Sequence, residues 1–342
     1  MTLPDRRDPR TRHLLVGLLI SAVLIWFAFR GTQWSVIWAT ARGIHPLPML
    51  FAVVLSTLPF ALRIPRWRLL LRHDDDSALP IPALWHATAI GFAANNVLPF
   101  RAGELLRVAA VSRLGKVAFL TALSSLAVER VLDALILVGL LGVGLVVANF
   151  PPDITIAGAP VATAATRIGV ICLAALLVAV AAAWQRDLSL KLVRRVVGHG
   201  PIGEKLHHFV DRLLAGLNAL RNPRRAIPVI GWTVVIWLVN AAAFYVAFRA
   251  FDIDVPFSGA LVLQGLLTIG IAAPQAPGYI GGFEVPIVLV LGFYTIGKDV
   301  ALAYALTYHI TTFFPIIFLG AWSAVESGIT LKAARAVAAV PE

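Results

Sequence analysis

Cysteine is almost absent from this sequence, with Cys172 alone among 342 residues, so neither an intrachain disulfide nor a multi-cysteine metal site can form. Charge is scarce as well. Asp, Glu, Lys and Arg make up 14% of the chain and hydrophobic residues 59%, whereas ordinary globular domains are about a quarter charged. So little polar surface cannot cover a water-soluble fold, and a mean hydropathy of +0.84 points to lipid as the solvent. Phosphate-binding Walker loops, zinc-binding HExxH helices and nucleophile elbows are also missing, which argues against ATP hydrolysis and common hydrolytic chemistry. The expectation is a non-enzymatic membrane chain with no cofactor and no metal.

Basic residues outnumber acidic ones, 29 to 18. They stand between apolar runs and not on one polar module, so topology and anionic lipid explain them better than nucleic acid. Crossing a hydrocarbon layer of roughly 30 Å takes about 20 apolar residues. Six segments qualify: Leu14–Phe29, Leu47–Leu62, Val117–Asn149, Arg167–Trp184, Ala226–Phe248 and Val300–Trp322. The third is too long for one straight crossing, and Glu129, Arg130 and Asp133 inside it predict a break or tilt. Cytoplasmic loops carry the excess of Lys and Arg. Residues 185–225 are rich in both while 150–166 hold neither, which sets the first inside and the second outside. Arg63, Arg66, Arg68 and Arg72 put the end of the second span in the cytoplasm, giving a multi-pass plasma-membrane protein with both termini cytoplasmic. Within 185–225, Leu206, Phe209, Leu213, Leu217 and Leu220 recur at helical spacing and predict an amphipathic helix.

Two apolar stretches, about 83–114 and 256–296, are interrupted. The first breaks at Pro99-Phe100-Arg101-Ala102-Gly103-Glu104, and the second runs from Pro274 through Pro277, Gly278, Gly281 and Gly282 to Glu284. Both breaks begin with proline, contain glycine and close on a glutamate. Non-helical backbone at membrane depth is tolerated only inside protein or beside a wet cavity, so each stretch reads as a re-entrant helical hairpin. Charge counting places them in opposite leaflets. The predicted fold is therefore all-α: one polytopic domain over 1–342, about six spans, and two oppositely oriented hairpins related as an inverted repeat. Such paired interruptions point to a transporter's binding site.

Ionisable residues inside a bilayer are expensive and usually pair or line a pathway. Arg101, Glu104 and Arg107 fall at spacings of three, sharing one helical face with a positive surplus that suits a phosphate. Glu104 and Glu284 either cap their helices or meet a ligand. Glu129 and Asp133, four apart, need a cation, for which Arg130 or an arginine from the first hairpin is available. Asn95 and Asn96 precede Pro99 and either satisfy freed backbone groups or contact a headgroup. His86 and His309 read as packing residues and not as metal ligands, with proton coupling through His309, Glu129 or Glu284 as the open alternative.

Taken in order, Asn95-Asn96-Val97-Leu98-Pro99-Phe100-Arg101-Ala102-Gly103-Glu104, Arg107, Glu129-Arg130-Val131-Leu132-Asp133 and Pro277-Gly278-Tyr279-Ile280-Gly281-Gly282-Phe283-Glu284 resemble the flippase-like transmembrane region of lysylphosphatidylglycerol synthases. The resemblance covers nearly the whole chain. It implies a membrane region that moves a phospholipid, or an aminoacylated or glycosylated lipid, between leaflets, with the residues just quoted at the substrate site. Bifunctional members add a cytoplasmic synthase domain. This sequence stops shortly after the last span, so synthase activity is not expected of it. Related regions accompany glycosyltransferases or hopanoid biosynthesis genes, which makes a lipid-modifying enzyme or glycosyltransferase the expected partner. The rival readings are a non-transporting accessory of a lipid or polyprenyl-glycan pathway, an intramembrane enzyme, and a small-molecule or ion transporter.

Overall fold

A computed structural model describes residues 19, 21–73, 75–98, 102–148, 150–151, 154–156, 158–185, 195, 223–272 and 277–329. Among the described residues, a helical segment at 21–29 is followed by ten α-helices. They are α1 (Trp34–Arg42), α2 (Pro46–Leu70), α3 (Ile81–Val97), α4 (Ala102–Gly115), α5 (Phe119–Val146), α6 (Val161–Trp184), α7 (Pro223–Ala250), α8 (Phe257–Ala272), α9 (Glu284–Gly292) and α10 (Lys298–Ser327). A two-residue antiparallel ribbon, Thr155–Ile156 against Ala159–Pro160, lies between α5 and α6. The amphipathic segment expected over 185–225 falls largely outside the described residues.

Four described helices, α2, α6, α7 and α10, are long and apolar enough to cross a membrane. Large apolar side chains on their outer faces are exposed, among them Leu177, Ile227, Phe318 and Val325, a surface that suits lipid tails and not water. Two expectations change. The second apolar run does not end at Leu62: α2 accommodates Pro59 and Pro65 and continues to Leu70, so Arg63 and Arg66 sit inside a helix and not in a loop. Of the break or tilt predicted near Glu129, the break is absent, because α5 is one helix of 28 residues. Its charges are met by side chains from neighbouring helices, so no backbone interruption is needed to solvate them.

Both interrupted stretches form packed helix pairs, α3 with α4 and α8 with α9. Glycine makes each approach close. A Cβ on Gly103 would clash with the Gly91 carbonyl oxygen and stand 2.5 Å from the Asn95 nitrogen; one on Gly270 would stand 3.0 Å from the Gly282 oxygen. The two glycine pairs have the same separation along the chain. In Gly103→Ala the opposing atoms are backbone and cannot rotate aside, so α3 and α4 must part. Overpacking of this kind costs about 1–3 kcal/mol. The thermal midpoint in detergent is expected to fall by several degrees, while Gly231→Ala, with no atom within 4 Å of the added carbon, leaves it unchanged or slightly raised.

The order long helix, two short helices, long helix occurs twice, as α2–α5 and as α7–α10. One apolar core gathers mainly on α7–α10 around Phe244, Phe248, Tyr304 and Tyr308. A second gathers on α2–α5 around Trp67, Leu84, Val108 and Val111. The most extensive contact between the two sets is that of α2 with α7.

Candidate functional site

On α5, Glu129 and Asp133 are one turn apart and face inward, as their spacing requires. They carry a cluster of arginines from three helices. Arg107 of α4 donates from Nη1 and Nη2 to the two oxygens of Glu129, at 2.7 and 3.1 Å, the bidentate fork that makes arginine the preferred partner of a carboxylate. Arg66 of α2 donates to Asp133 Oδ1 at 2.6 Å and lies 3.1 Å from Glu129 Oε1. Arg63, one turn earlier, bridges both acids at 3.4–3.5 Å. Arg130 reaches Glu129 at 2.7 Å and Glu104 at 3.8 Å.

Glu129 and Arg66 have no exposed side-chain surface and Arg107 only 2%, whereas Arg130 keeps 34% and Glu104 26%. The cluster is thus sealed at one end and open at the Arg130–Glu104 rim. Four guanidinium groups outnumber two buried carboxylates, and Glu104 at the rim only partly offsets the surplus. Among the described residues, buried Nε atoms of Arg66, Arg107 and Arg130 find no acceptor.

Aromatic rings take the place of missing carboxylates. The Arg107 guanidinium lies 3.8 Å over Trp67, and Arg63 lies 5.0 Å over Phe92 and 5.7 Å over Trp237, geometries in which ring faces attract a cation. Trp237 Nε1 donates to Asp133, Trp67 Nε1 to Ser125, and Thr233 accepts from Arg66. Beside the cluster, between α2 and α7, an open groove of about 390 Å³ is lined by Ile64, Pro65, Arg68, Arg72 and Trp232.

A second ionisable pair stands apart in the other half. Glu284, the first residue of α9, accepts from the Gly281 N–H at 2.6 Å and pairs through its other oxygen with His309 Nδ1 at 2.7 Å. Glu284 thus closes the turn before its own helix and pairs with His309 at the same time. The Pro277–Tyr279 turn and Gly281 shape this approach, with φ of 80° at Gly278 and 89° at Gly281, conformations cheap only for glycine.

Among the residues expected at the site, Glu104, Arg107, Glu129, Arg130 and Asp133 come together, and Glu284 does not join them. Asn95 packs against Gly103, with a buried Oδ1 that no described residue donates to; Asn96 is half-buried at the end of α3. Pro99 and Arg101 lie outside the described residues. Sequence reasoning missed Arg63, Arg66, Trp67, Thr233 and Trp237 as members of the site, and the pairing of His309 with Glu284. For the first two a signal existed, since Arg63, Arg66 and Trp67 share a helical face with Phe60 if α2 is allowed to run through its prolines.

A buried arginine–carboxylate cluster among apolar helices, four of them long enough to cross a membrane, defines an α-helical integral membrane protein with a charged centre. The chain belongs to the lysylphosphatidylglycerol synthase TM region family, whose profile matches residues 14–320. It is similar to glycosyltransferase AglD of Haloferax volcanii, 25% identical over 310 residues that cover 82% of this chain and 48% of that protein. It is also similar to a UPF0104 membrane protein of Methanothermobacter thermautotrophicus, 23% identical over 68% of this chain and 70% of that protein. The chain therefore spans about half the length of the first relative, and the activity in that relative's name is not carried across.

Proposed function

We propose that the protein moves a lipid with a phosphate-bearing headgroup, a phospholipid or an aminoacylated or glycosylated derivative, between membrane leaflets. One observation carries this reading: a positive surplus buried among membrane helices whose exposed members, among the described residues, are Arg130 and Glu104. Burying four guanidinium groups is costly, and two carboxylates do not balance them. A phosphate restores the balance. Arg107 spends both terminal nitrogens on Glu129, so the headgroup contact falls to Arg130, with Arg101, just before α4 in sequence, as a second ligand. Glu104 meets any cationic group the headgroup bears.

In this reading α3–α4 and α8–α9 are re-entrant hairpins from opposite leaflets, the two four-helix sets are an inverted repeat, and both termini are cytoplasmic. Rocking of one set on the other alternates access while the acyl chains stay in lipid. The groove at Arg68, Arg72 and Trp232 supplies a basic, apolar-lined approach from the leaflet on that side. The test uses purified protein in vesicles with fluorescent phosphatidylglycerol, lysylphosphatidylglycerol or phosphatidylcholine, read by quenching from outside. Protein-dependent loss of the protected fraction is expected for the anionic lipid; rates equal to empty vesicles for all three overturn the proposal.

A second reading follows from the AglD likeness: a non-transporting accessory of a lipid-linked glycan pathway, acting with a glycosyltransferase. It requires a glycosyltransferase that co-purifies with the chain and vesicles in which no lipid moves.

A further inference from the structure

The Glu284–His309 pair is not used by the anion site, and the repeated helix order says what it corresponds to. His309 stands in α10 at the same place, counted from the helix start, as Arg130 in α5. Glu284 opens α9 as Glu104 lies in the first turn of α4. The contacts are parallel too: Arg130 with Glu104 at 3.8 Å, His309 with Glu284 at 2.7 Å. One half thus bears a permanent cation opposite its carboxylate, and the other bears an imidazole, the side chain whose charge changes near neutral pH.

We infer that His309 and Glu284 form the proton-binding site of the translocator, so that one proton moves with one anionic lipid. The inference rests on the lipid-translocation reading. The pair is built for a proton and not for a loose contact. Glu284 keeps 1% and His309 12% of its side-chain surface, the Gly281 N–H fixes one carboxylate oxygen, and Phe283 stacks on the imidazole at 4.1 Å between centroids. With the imidazole neutral, the pair has a charge of −1 and repels an anion. A proton taken up by the ring makes the pair neutral, and the second half then admits the headgroup. Release of the proton on the other side restores the charge and expels the lipid. A ligand shifts a two-state equilibrium only by its differential affinity, and this charge change supplies it.

Neighbouring elements bring no competing ion to the pair among the described residues. Segment 21–29, which meets Gly281 at Leu24 and Ile25, and helix α8 hold no ionisable side chain. On α3 the only one is His86, beside Trp322, about three and a half turns along α10 from His309. The 277–279 turn adds Tyr279, and α10 adds the Tyr304 and Tyr308 rings, with Lys298, Asp299 and Glu326 at its ends. α1 offers only Arg42, at its end. Of the other helices touching α10, α2 directs Arg63 and Arg66 to Glu129 and Asp133, leaving Arg68 on the Leu79 carbonyl. α7 holds Arg249 on Asp254, Arg225 on Asp76, and Arg224 and Tyr245.

The experiment has two arms on the full chain. In nanodiscs with nitrogen-15 histidine, the His309 resonance is identified by its loss in His309→Gln. It is expected to titrate, with a course altered by Glu284→Gln, a variant that keeps an acceptor for Gly281. In vesicles with a pH gradient of one unit, labelled phosphatidylglycerol is expected to accumulate in the leaflet facing the alkaline side by up to about tenfold, the factor for one proton per lipid. Phosphatidylcholine does not redistribute, and His309→Gln abolishes the effect. An imidazole that does not titrate, or ignores Glu284, overturns the proton site. Phosphatidylglycerol that equilibrates regardless of the gradient overturns the coupling and leaves the lipid reading standing. A titrating, Glu284-sensitive His309 in a protein that moves no lipid overturns the lipid reading alone.

Discussion

Glu129→Gln is expected to cost about 3–5 kcal/mol, the usual penalty for removing one member of a buried ionic network, and to prevent recovery of a monodisperse protein in detergent or lower its thermal midpoint by about 10 °C or more. Glu129 is wholly buried, holds the Arg107 fork, accepts from Arg130 and lies within ion-pair distance of Arg63 and Arg66. The amide keeps one acceptor but loses the charge and turns an NH2 group toward guanidinium donors, leaving Asp133 as the only buried acid for four arginines. Against a typical stability of about 5–15 kcal/mol that is a large share. Two comparisons separate ion pairing from packing. Glu104→Gln, at the exposed rim and 3.8 Å from its partner, should shift stability by no more than about 1 kcal/mol. The pair Arg107→Met with Glu129→Leu removes both charges together and should be more stable than Glu129→Gln alone. A Glu129→Gln protein that denatures like the wild type would show that the cluster does not hold the helices together.

The sequence made the two interrupted stretches plain because proline, glycine and polar residues have no business inside an apolar run unless the backbone turns there. The resulting helix pairs, α3–α4 and α8–α9, fall close to the boundaries that pattern predicts. Proline misled at α2. Pro59 and Pro65 next to arginines look like the end of a span, yet the helix continues to Leu70, and Arg63 and Arg66 enter the core in place of a cytoplasmic loop. The i, i+4 spacing of Glu129 and Asp133 announced a need for cations, but spacing within one helix cannot say which arginine of another helix meets it. The same ignorance produced the expectation of a break or tilt in α5: a charge cluster looks fatal to a straight membrane helix only while its partners are unknown. The pairing of His309 with Glu284 was illegible for a related reason. The two lie 25 residues apart, a distance that has no period to read, and a single histidine among apolar residues has the look of packing. Three helices had to be assembled before Arg63, Arg66 and Arg107 could be seen around one carboxylate.

Arg130→Gln should separate transport from folding. Arg130 is the arginine of the cluster with the most exposed side chain, so it is placed to meet a headgroup phosphate. Its loss leaves Glu129 in the Arg107 fork and beside Arg66, and leaves Asp133 on Arg66 and Trp237, so no buried acid is stranded and the thermal midpoint should move by only a few degrees. A charge-assisted hydrogen bond contributes about 1.5–3 kcal/mol, and about 1.4 kcal/mol corresponds to a factor of ten. Movement of labelled phosphatidylglycerol in vesicles is therefore expected to slow by about ten- to a hundredfold. Arg130→Lys keeps the charge but not the planar fork, and should restore part of the rate. The effect of Arg130→Gln on phosphatidylcholine, whose headgroup brings its own cation, should be smaller. A variant that moves the anionic lipid at the wild-type rate would place the phosphate away from the Arg130–Glu104 rim, and the positive surplus of the cluster would then have a purely structural role.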